Sequence, residues 1–286
     1  MAKGRELKGR IKSVENTRKI TRTMEMIATS KMKRAQDRVV AARPYARALT
    51  EVISSLYSAE LADAFPLLRQ PKKVNRAVVL LLTTNRGLAG GFSANLVKEA
   101  RATVARLEKN GATVDLHVVG KKGIGYFRYV GRTVAVARTD ITDRPTGADA
   151  AGLVESLMAE FAAGTLDALY VVGAQFKSAL SSPPATERVL PVAMPEKSTV
   201  QRDFLLRPSA GAILGSLLPA YVRNSVYRAL VETAAAEQAA RRTAMKNATD
   251  NAGEMLNVLR RTYNRARQAN ITQEIAEIVG GAAALE

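Results

Sequence analysis

Cysteine and tryptophan are missing from the chain altogether, and histidine occurs once, as His117. Without a thiol there can be no disulfide scaffold, no thiol catalysis or redox switch, no iron–sulfur cluster and no thiolate zinc site. A lone histidine cannot build a two-histidine metal centre. Aromatic residues make up only 5% of the sequence, too few for an interleaved set that stacks on bases. Long apolar runs are missing as well. The longest charge-free stretch lies between Arg207 and Arg223, is interrupted by Pro219, and falls short of the ~18 residues that a bilayer span needs. The opening MAKGRELKGRIKSVENTRK stays charged and polar where a secretory signal would turn apolar, and Glu6 and Glu15 argue against a transit peptide. The expectation is a soluble or peripheral, cytoplasmic, bacterial protein.

What is present is a hydrophobic fraction of 47% in 286 residues. That fraction can offset the ordering entropy of the chain, which excludes intrinsic disorder, and the length suits about two domains. The formal charge is +17, with 43 Lys and Arg against 26 Asp and Glu. Residues 1–60 are the most basic part, with 14 cationic against 6 acidic side chains. Such a segment attracts phosphates or acidic protein surfaces at long range, but a solvated helix face has the same composition.

Three zones separate by period, and they predict domains at 1–60, 72–206 and 207–286. From Lys3 to Tyr57 strong helix formers dominate. Leu7, Ile11 and Val14, then Ile20, Met24 and Ile27, recur at helical spacing, which predicts one long helix with a kink at Pro44. After Pro208, Ser209 is a candidate N-cap for a second long helix reaching about Ala284. Its expected seam is narrow and rich in small residues: Met245, Ala248, Ala252, Met255, Leu259, Ala266 and Ala269. A stripe of that width fits one partner helix rather than a bundle core. The middle zone alternates strand and helix patterns: 77–82, 112–119, 133–137 and 168–175 read as strands, and 93–109, 121–129 and 148–161 as helices. This is the mark of βαβ units and a mostly parallel sheet. Pro183 and Pro184 confine any later strand to an edge. The fold class is therefore α/β, with an inserted Rossmann-like domain and a long antiparallel coiled coil made from the two chain ends.

Chemistry has few candidates. TTNRGLAGGF, Thr83 to Phe92, sits where a nucleotide loop would, after the first strand and before a helix. It matches neither G-x-G-x-x-G nor G-x-x-x-x-G-K-[ST] and offers no lysine for a phosphate, so a tight turn is the better reading. His117 falls inside a predicted strand with no nucleophile assigned to it. Asp140 and Asp143 occupy a turn-rich loop, and Glu274 and Glu277 stand at i, i+3 on a helix, where a solvated face is the ordinary case. No catalytic, cofactor-binding or metal-binding residues are expected.

The helical ends are more specific. IKSVENTRKITRTMEMIATSKMKRAQ (Ile11 to Gln36), EQAARRTAMKNATDNAGEML (Glu237 to Leu256) and YNRARQANITQEIAEIVGGA (Tyr263 to Ala282) resemble the gamma-subunit family of the F-type ATP synthases. The family's C-terminal pattern is matched by Ile271, Thr272, Glu274, Glu277, Gly281 and Ala282. TTNRGLAGGF is similar to the family's S/T-D-R-G-L-C-G-G loop, with Asn85 for Asp and Ala89 for Cys. The resemblance implies a central rotor shaft with no cofactor of its own. Its coiled coil would enter a ring of three alpha and three beta subunits. Its base would meet the epsilon and delta subunits and the c-subunit ring of the membrane sector, peripherally on the cytoplasmic side of the cell membrane. It further implies that Lys19, Thr21, Met24, Met26, Arg241, Arg267, Gln268 and Thr272 meet the ring, and that Ala282, Ala283, Ala284 and Leu285 form an apolar bearing tip. The extra segment with a cysteine pair found in the thiol-regulated plant form has no counterpart here. Two other classes compete: a basic coiled-coil protein that binds nucleic acid, whose affinity would fall steeply with salt, and a nucleotide-dependent enzyme built on the α/β domain.

Overall fold

The computed structural model describes residues 2–56, 65–192 and 209–283, with side chains placed from residue 5 to residue 280 within those spans. In chain order the elements are α1 (Ala2–Leu56), a 3-10 turn (Pro66–Leu68), β1 (Arg76–Leu82), α2 (Phe92–Lys109), β2 (Thr113–Val119), α3 (Lys121–Tyr129), β3 (Val136–Arg138), α4 (Gly147–Ala162), β4 (Ala168–Ala174), β5 (Pro184–Leu190) and α5 (Ala210–Ala283). Two compact units emerge: Ser30–Ala240, and Met1–Thr29 together with Arg241–Glu286. Both long helices run through a boundary between these units.

In the Ser30–Ala240 unit one five-stranded sheet has the order β3-β2-β1-β4-β5. The first three neighbour pairs are parallel and β4–β5 is antiparallel. The third strand is shorter than the expected 133–137 and shifted toward Arg138, because only residues 136–138 pair with β2. Pro184, which cannot donate to a ladder, opens the edge strand β5. The continuous apolar run of β1 follows from burial on both faces. Val78, Leu80 and Leu82 enter one core with Leu153, Val154, Leu157 and Phe161 of α4. Ala77, Val79 and Leu81 enter the other with Leu96, Ala100 and Val104 of α2.

Helix α5 is capped as the sequence predicts, the Ala212 amide donating to Ser209 Oγ at 3.2 Å. It then crosses from one core to the other. Leu214, Leu218, Val222, Val226 and Leu230 belong to the first core, and Val231, Ala235, Ala236 and Ala239 to the second. A spacing of four residues advances the contact stripe by ~40° per step on a helix of 3.6 residues per turn, so an unbroken run of fours winds around the helix and changes face. The same happens on α1, where Met32, Ala35 and Val39 pack in the second core and Leu49, Ile53 and Leu56 in the first.

In the helical unit the two chain ends are antiparallel. Thr249 Oγ1 donates to Thr21 Oγ1 at 2.8 Å, Gly253 lies against the Arg18 guanidinium, and Arg260 pairs with Glu15, so one number rises as the other falls. Thr21, Ala28, Arg241, Met245, Thr249, Ala252 and Leu256 are the buried positions along this pairing.

Candidate functional site

In an open α/β sheet ligands bind outside the carboxyl ends of the strands, where the chain reverses its direction of winding. Here that point lies between β1 and β4, because β2 and β3 are added on one side of β1 and β4 on the other. Helix α5 fills it. Thr233 Oγ1 accepts the Ala174 amide at 3.1 Å, and Glu232 Oε2 accepts the Phe176 amide at 3.1 Å, so donors that would greet a phosphate are already satisfied. Burial raises the Glu232 carboxyl above its usual range, opposed by the Phe176 amide and by Arg228 and Arg43. Gly173 permits the approach: a Cβ there would stand 2.7 Å from Thr233 Oγ1. The crevice is a packed joint.

The loop Thr83–Phe92 is likewise occupied by its own structure. Thr83 Oγ1 donates to the Val119 carbonyl at 2.8 Å and accepts the Gly123 amide at 3.0 Å. Gly120, at φ 99°, lies so near that a Cβ would collide with the Thr83 carbonyl. Asn85 donates from Nδ2 to the carbonyls of Thr139 (3.0 Å) and Ile141 (2.9 Å) and accepts the Lys121 amide through Oδ1 (3.1 Å). Its amide thus joins the loop to the turn after β3 and to the first residue of α3. A carboxylate at this position would have no donor for those two carbonyls, which gives the departure from the family's Asp a physical content. Ala89, where the family carries Cys, is buried at 6% exposure in the second core.

The other titratable candidates are structural. His117, on β2, is shifted below its ordinary value chiefly by burial. The Arg138 guanidinium, 2.6 Å away, holds Asp140 down at about 2. Lys31 pairs with Asp143 at 2.7 Å and lowers it too. Glu277 accepts a hydrogen bond from Gln273 on an exposed helix. Among the described residues no group of three or more His, Cys, Asp or Glu could hold a metal ion, and no helix is long and apolar enough to cross a membrane.

The helical unit carries the feature that apolar periodicity misjudges. Met255, expected in the seam, is 54% exposed, and Ile20 and Ile27, which recur at helical spacing on α1, are 59% and 52% exposed. The buried seam holds Met245 and Ala252, as the spacing predicts, and with them Thr21, Ala28, Thr249 and Leu256, which it does not. Small side chains let two helices approach closely, and a threonine whose hydroxyl is bonded is as good a filler as alanine; a hydrophobicity count passes over it. Several large apolar residues consequently point outward. Ile271, Ile275 and Ile278, at i, i+4 and i+7, are 47%, 56% and 73% exposed and share one face. Nine of the sixteen exposed large hydrophobics among the described residues belong to this smaller unit.

The residues singled out from the family resemblance are distributed unevenly over this surface. Lys19, Met26, Arg267, Gln268 and Thr272 are exposed, and Met24 is half-buried. Thr21 does not face outward: it is 9% exposed and bonded to Thr249 across the seam. Arg241 is also 9% exposed. Of the expected bearing tip, Ala284 and Leu285 lie outside the described residues, as do the side chains of Ala282 and Ala283.

Comparison with known proteins places these features in a family. A family model described as ATP synthase matches residues 3–285. The chain is 67% identical to the ATP synthase gamma chain of Gemmatimonas aurantiaca, over 289 aligned positions covering 100% of both chains. It is 42% identical to the ATP synthase gamma chain of Leptospira biflexa, again covering 100% of both. The fold is similar to a chain of the Euglena gracilis mitochondrial ATP synthase OSCP/F1/c-ring structure in rotational state 3, with a TM-score of 0.68 at 19% identity over 99% of this chain and 95% of the other. A chain of the Tetrahymena thermophila mitochondrial ATP synthase central stalk and c-ring gives 0.58 at 22% identity over 80% and 99%. The chain belongs to the ATP synthase gamma-chain family.

Proposed function

We propose that the chain is the central-stalk rotor of a bacterial F-type ATP synthase, turned by proton flow through the membrane sector, and that it drives the catalytic beta subunits through their conformational cycle without bond-making residues of its own. The observation that carries this reading is the outer surface of the helical unit: Thr21, Ala28, Thr249 and Ala252 help to fill the seam while Ile20, Met26, Ile27, Ile271, Ile275 and Ile278 are left outside. Ile271, Ile275 and Ile278 share one helix face, and an exposed apolar face of this kind is what a protein contact would cover. It suits a shaft enclosed by a ring of three alpha and three beta subunits.

Transmission of torque needs stiffness. Each charge crossing ~100 mV releases ~2.3 kcal/mol, so a few protons deliver energy comparable with the ~5 to 15 kcal/mol that holds a domain folded. Two helices closed on each other through the Thr249–Thr21 hydrogen bond and the Arg260–Glu15 pair resist independent unwinding. Lys19, Met24, Met26, Arg267, Gln268 and Thr272 are the proposed ring contacts on the outer surface, with Thr21 and Arg241 shaping the seam that supports them. The Ser30–Ala240 unit is the proposed base, meeting epsilon, delta and the c-subunit ring, so that the chain is held peripherally at the cytoplasmic face of the membrane.

The absence of cysteine makes the test clean. Cys introduced at position 26 or 268 in the assembled complex, opposite a Cys in the adjoining loop of beta, is expected to form a disulfide that stops ATP hydrolysis, with reductant restoring it. Full turnover with the cross-link complete would overturn the rotor reading. The isolated chain is expected to hydrolyse no ATP.

A further inference from the structure

A cleft of about 190 Å³ opens in the Ser30–Ala240 unit between α1, the turn after β3, and α5, lined by Lys31, Arg34, Arg38, Asp143, Arg144 and Gln238. Two chain segments far apart in sequence thus bring four cations to one concavity, and a third adds Gln238. A single carboxylate opposes them. Lys31 Nζ takes it up at 2.7 Å, Arg38 Nη1 reaches the Asp143 carbonyl at 3.4 Å, and Arg34 Nη2 donates to Ser30 Oγ at 3.0 Å. A guanidinium has five N–H donors, so Arg34, Arg38 and Arg144 together bring many more donors to the cleft than Asp143 and Ser30 can take up.

Gln238 of α5 forms the remaining wall. Its side chain is 4% exposed and lines the cleft. An amide held in place by packing offers a guest two N–H donors and a carbonyl acceptor.

We propose that this cleft binds a phosphate-class oxyanion, held by the guanidinium groups of Arg34, Arg38 and Arg144 and by the amide of Gln238. A tetrahedral oxyanion accepts hydrogen bonds on every side, matching donors that converge from three segments, and guanidinium forks pair its oxygens two at a time. The volume decides the size of the guest. At about 190 Å³ the cleft has room for a phosphate-sized anion but lies below the ~300 Å³ at which pockets for whole drug-sized ligands begin. The source is either free inorganic phosphate or the terminal phosphate of a nucleotide whose remainder stays outside. This site is independent of the rotor reading, because it concerns a small anion on the chain itself.

The test uses the purified full chain, titrated with inorganic phosphate by calorimetry and by thermal shift, with sodium chloride adjusted to fixed ionic strength. Saturable binding is expected, weakened at least tenfold by Arg34→Gln, whose side chain is exposed, and by Gln238→Leu, but unchanged by Lys109→Gln on another surface. Asp143→Asn, which removes the only negative charge in the cleft, is expected to tighten binding, whereas simple damage to the fold would loosen it. ADP that competes with phosphate, with the same dependence on Arg34, would identify the nucleotide as the source; phosphate binding without ADP competition would identify the free ion. An equal response to phosphate and chloride, full affinity in Arg34→Gln, or binding of an acidic peptide where phosphate fails would each overturn the proposal.

Discussion

Thr233→Val probes the joint between α5 and the end of β4 with little change of shape. The substitution exchanges a hydroxyl for a methyl and leaves the Ala174 amide, now bonded at 3.1 Å, without its acceptor. Ala174 and Thr233 are 3% and 6% exposed, so water cannot take over. Leaving one buried donor unpaired costs about 1–3 kcal/mol. At ~1.4 kcal/mol per decade this is a roughly 5- to 160-fold rise in opening, and so in amide exchange, of the β4 end where exchange proceeds by local unfolding. Hydrogen exchange read by mass spectrometry on peptides covering 168–176 would measure it. Gly173→Ala makes a second, opposite perturbation, because its Cβ would press on Thr233 Oγ1 from 2.7 Å. Overpacking of that kind costs about 1–3 kcal/mol. Since both act on one atom, Gly173→Ala combined with Thr233→Ala should cost less than the sum of the singles. Unchanged exchange in Thr233→Val, or strict additivity in the pair, would refute the claim that α5 closes this crevice by direct bonding.

Four further outcomes follow from other contacts. Asn85→Asp should destabilise the Ser30–Ala240 unit by about 1–3 kcal/mol, because the carbonyls of Thr139 and Ile141 lose their donors; a urea midpoint equal to wild type would contradict this. Asp167→Ala should cost about 3 kcal/mol, since its Oδ2 accepts the amides of Asn75 and Arg76 at 2.9 and 3.1 Å; at ~3 kcal/mol/M this is a urea midpoint lower by about 1 M. Glu232 has a raised pKa when folded, so the folded chain holds more protons than the unfolded one and stability falls as pH climbs from about 4.5 through the shifted value. Glu232→Gln removes that loss, and its melting temperature should exceed wild type at pH 7.5 with the advantage gone near pH 4. Ile278→Ser, at a position 73% exposed, should change the stability of the free chain by no more than about 0.5 kcal/mol yet weaken its assembly into the ATP synthase ring at least tenfold, as measured by reconstitution.

Much of this architecture is legible in the residues. A run such as AVVLLL has no polar face and must be buried on both sides, and Ser209 after Pro208 announces a helix start. The phase of the coiled-coil seam is legible only in part by the same means: Met245 and Ala252 are buried as their spacing predicts, and Met255 is not. Hydrophobicity chooses Ile20, Ile27 and Met255, whereas close helix packing chooses Thr21, Ala28 and Thr249, and nothing in a count of apolar residues says which rule governs. The anion cleft is hidden for a different reason. Lys31, Asp143 and Gln238 are separated by about a hundred residues each, and only the fold makes them neighbours. Asn85 lies between these cases: its replacement of an Asp is visible, but the two carbonyls that need its amide belong to a loop more than fifty residues away.

The filled crevice connects fold to function. A doubly wound sheet has one place at its strand ends where amides and a concavity coincide, and enzymes of this class place a ligand there. In this chain Thr233 and Glu232 present oxygen atoms to the same amides, so the binding energy available to a ligand holds a helix instead. Holding it at that point has mechanical value. Leu230 is in one core and Val231 in the other, and the helix cannot rotate about its axis without withdrawing apolar side chains from both. At roughly 1.5–3 kcal/mol for each buried Leu or Val, the five residues from Leu214 to Leu230 alone set a barrier of about 10 kcal/mol against that rotation. That exceeds by several fold the ~2.3 kcal/mol delivered by one charge crossing ~100 mV, so a single step of the drive would strain this anchorage without releasing it.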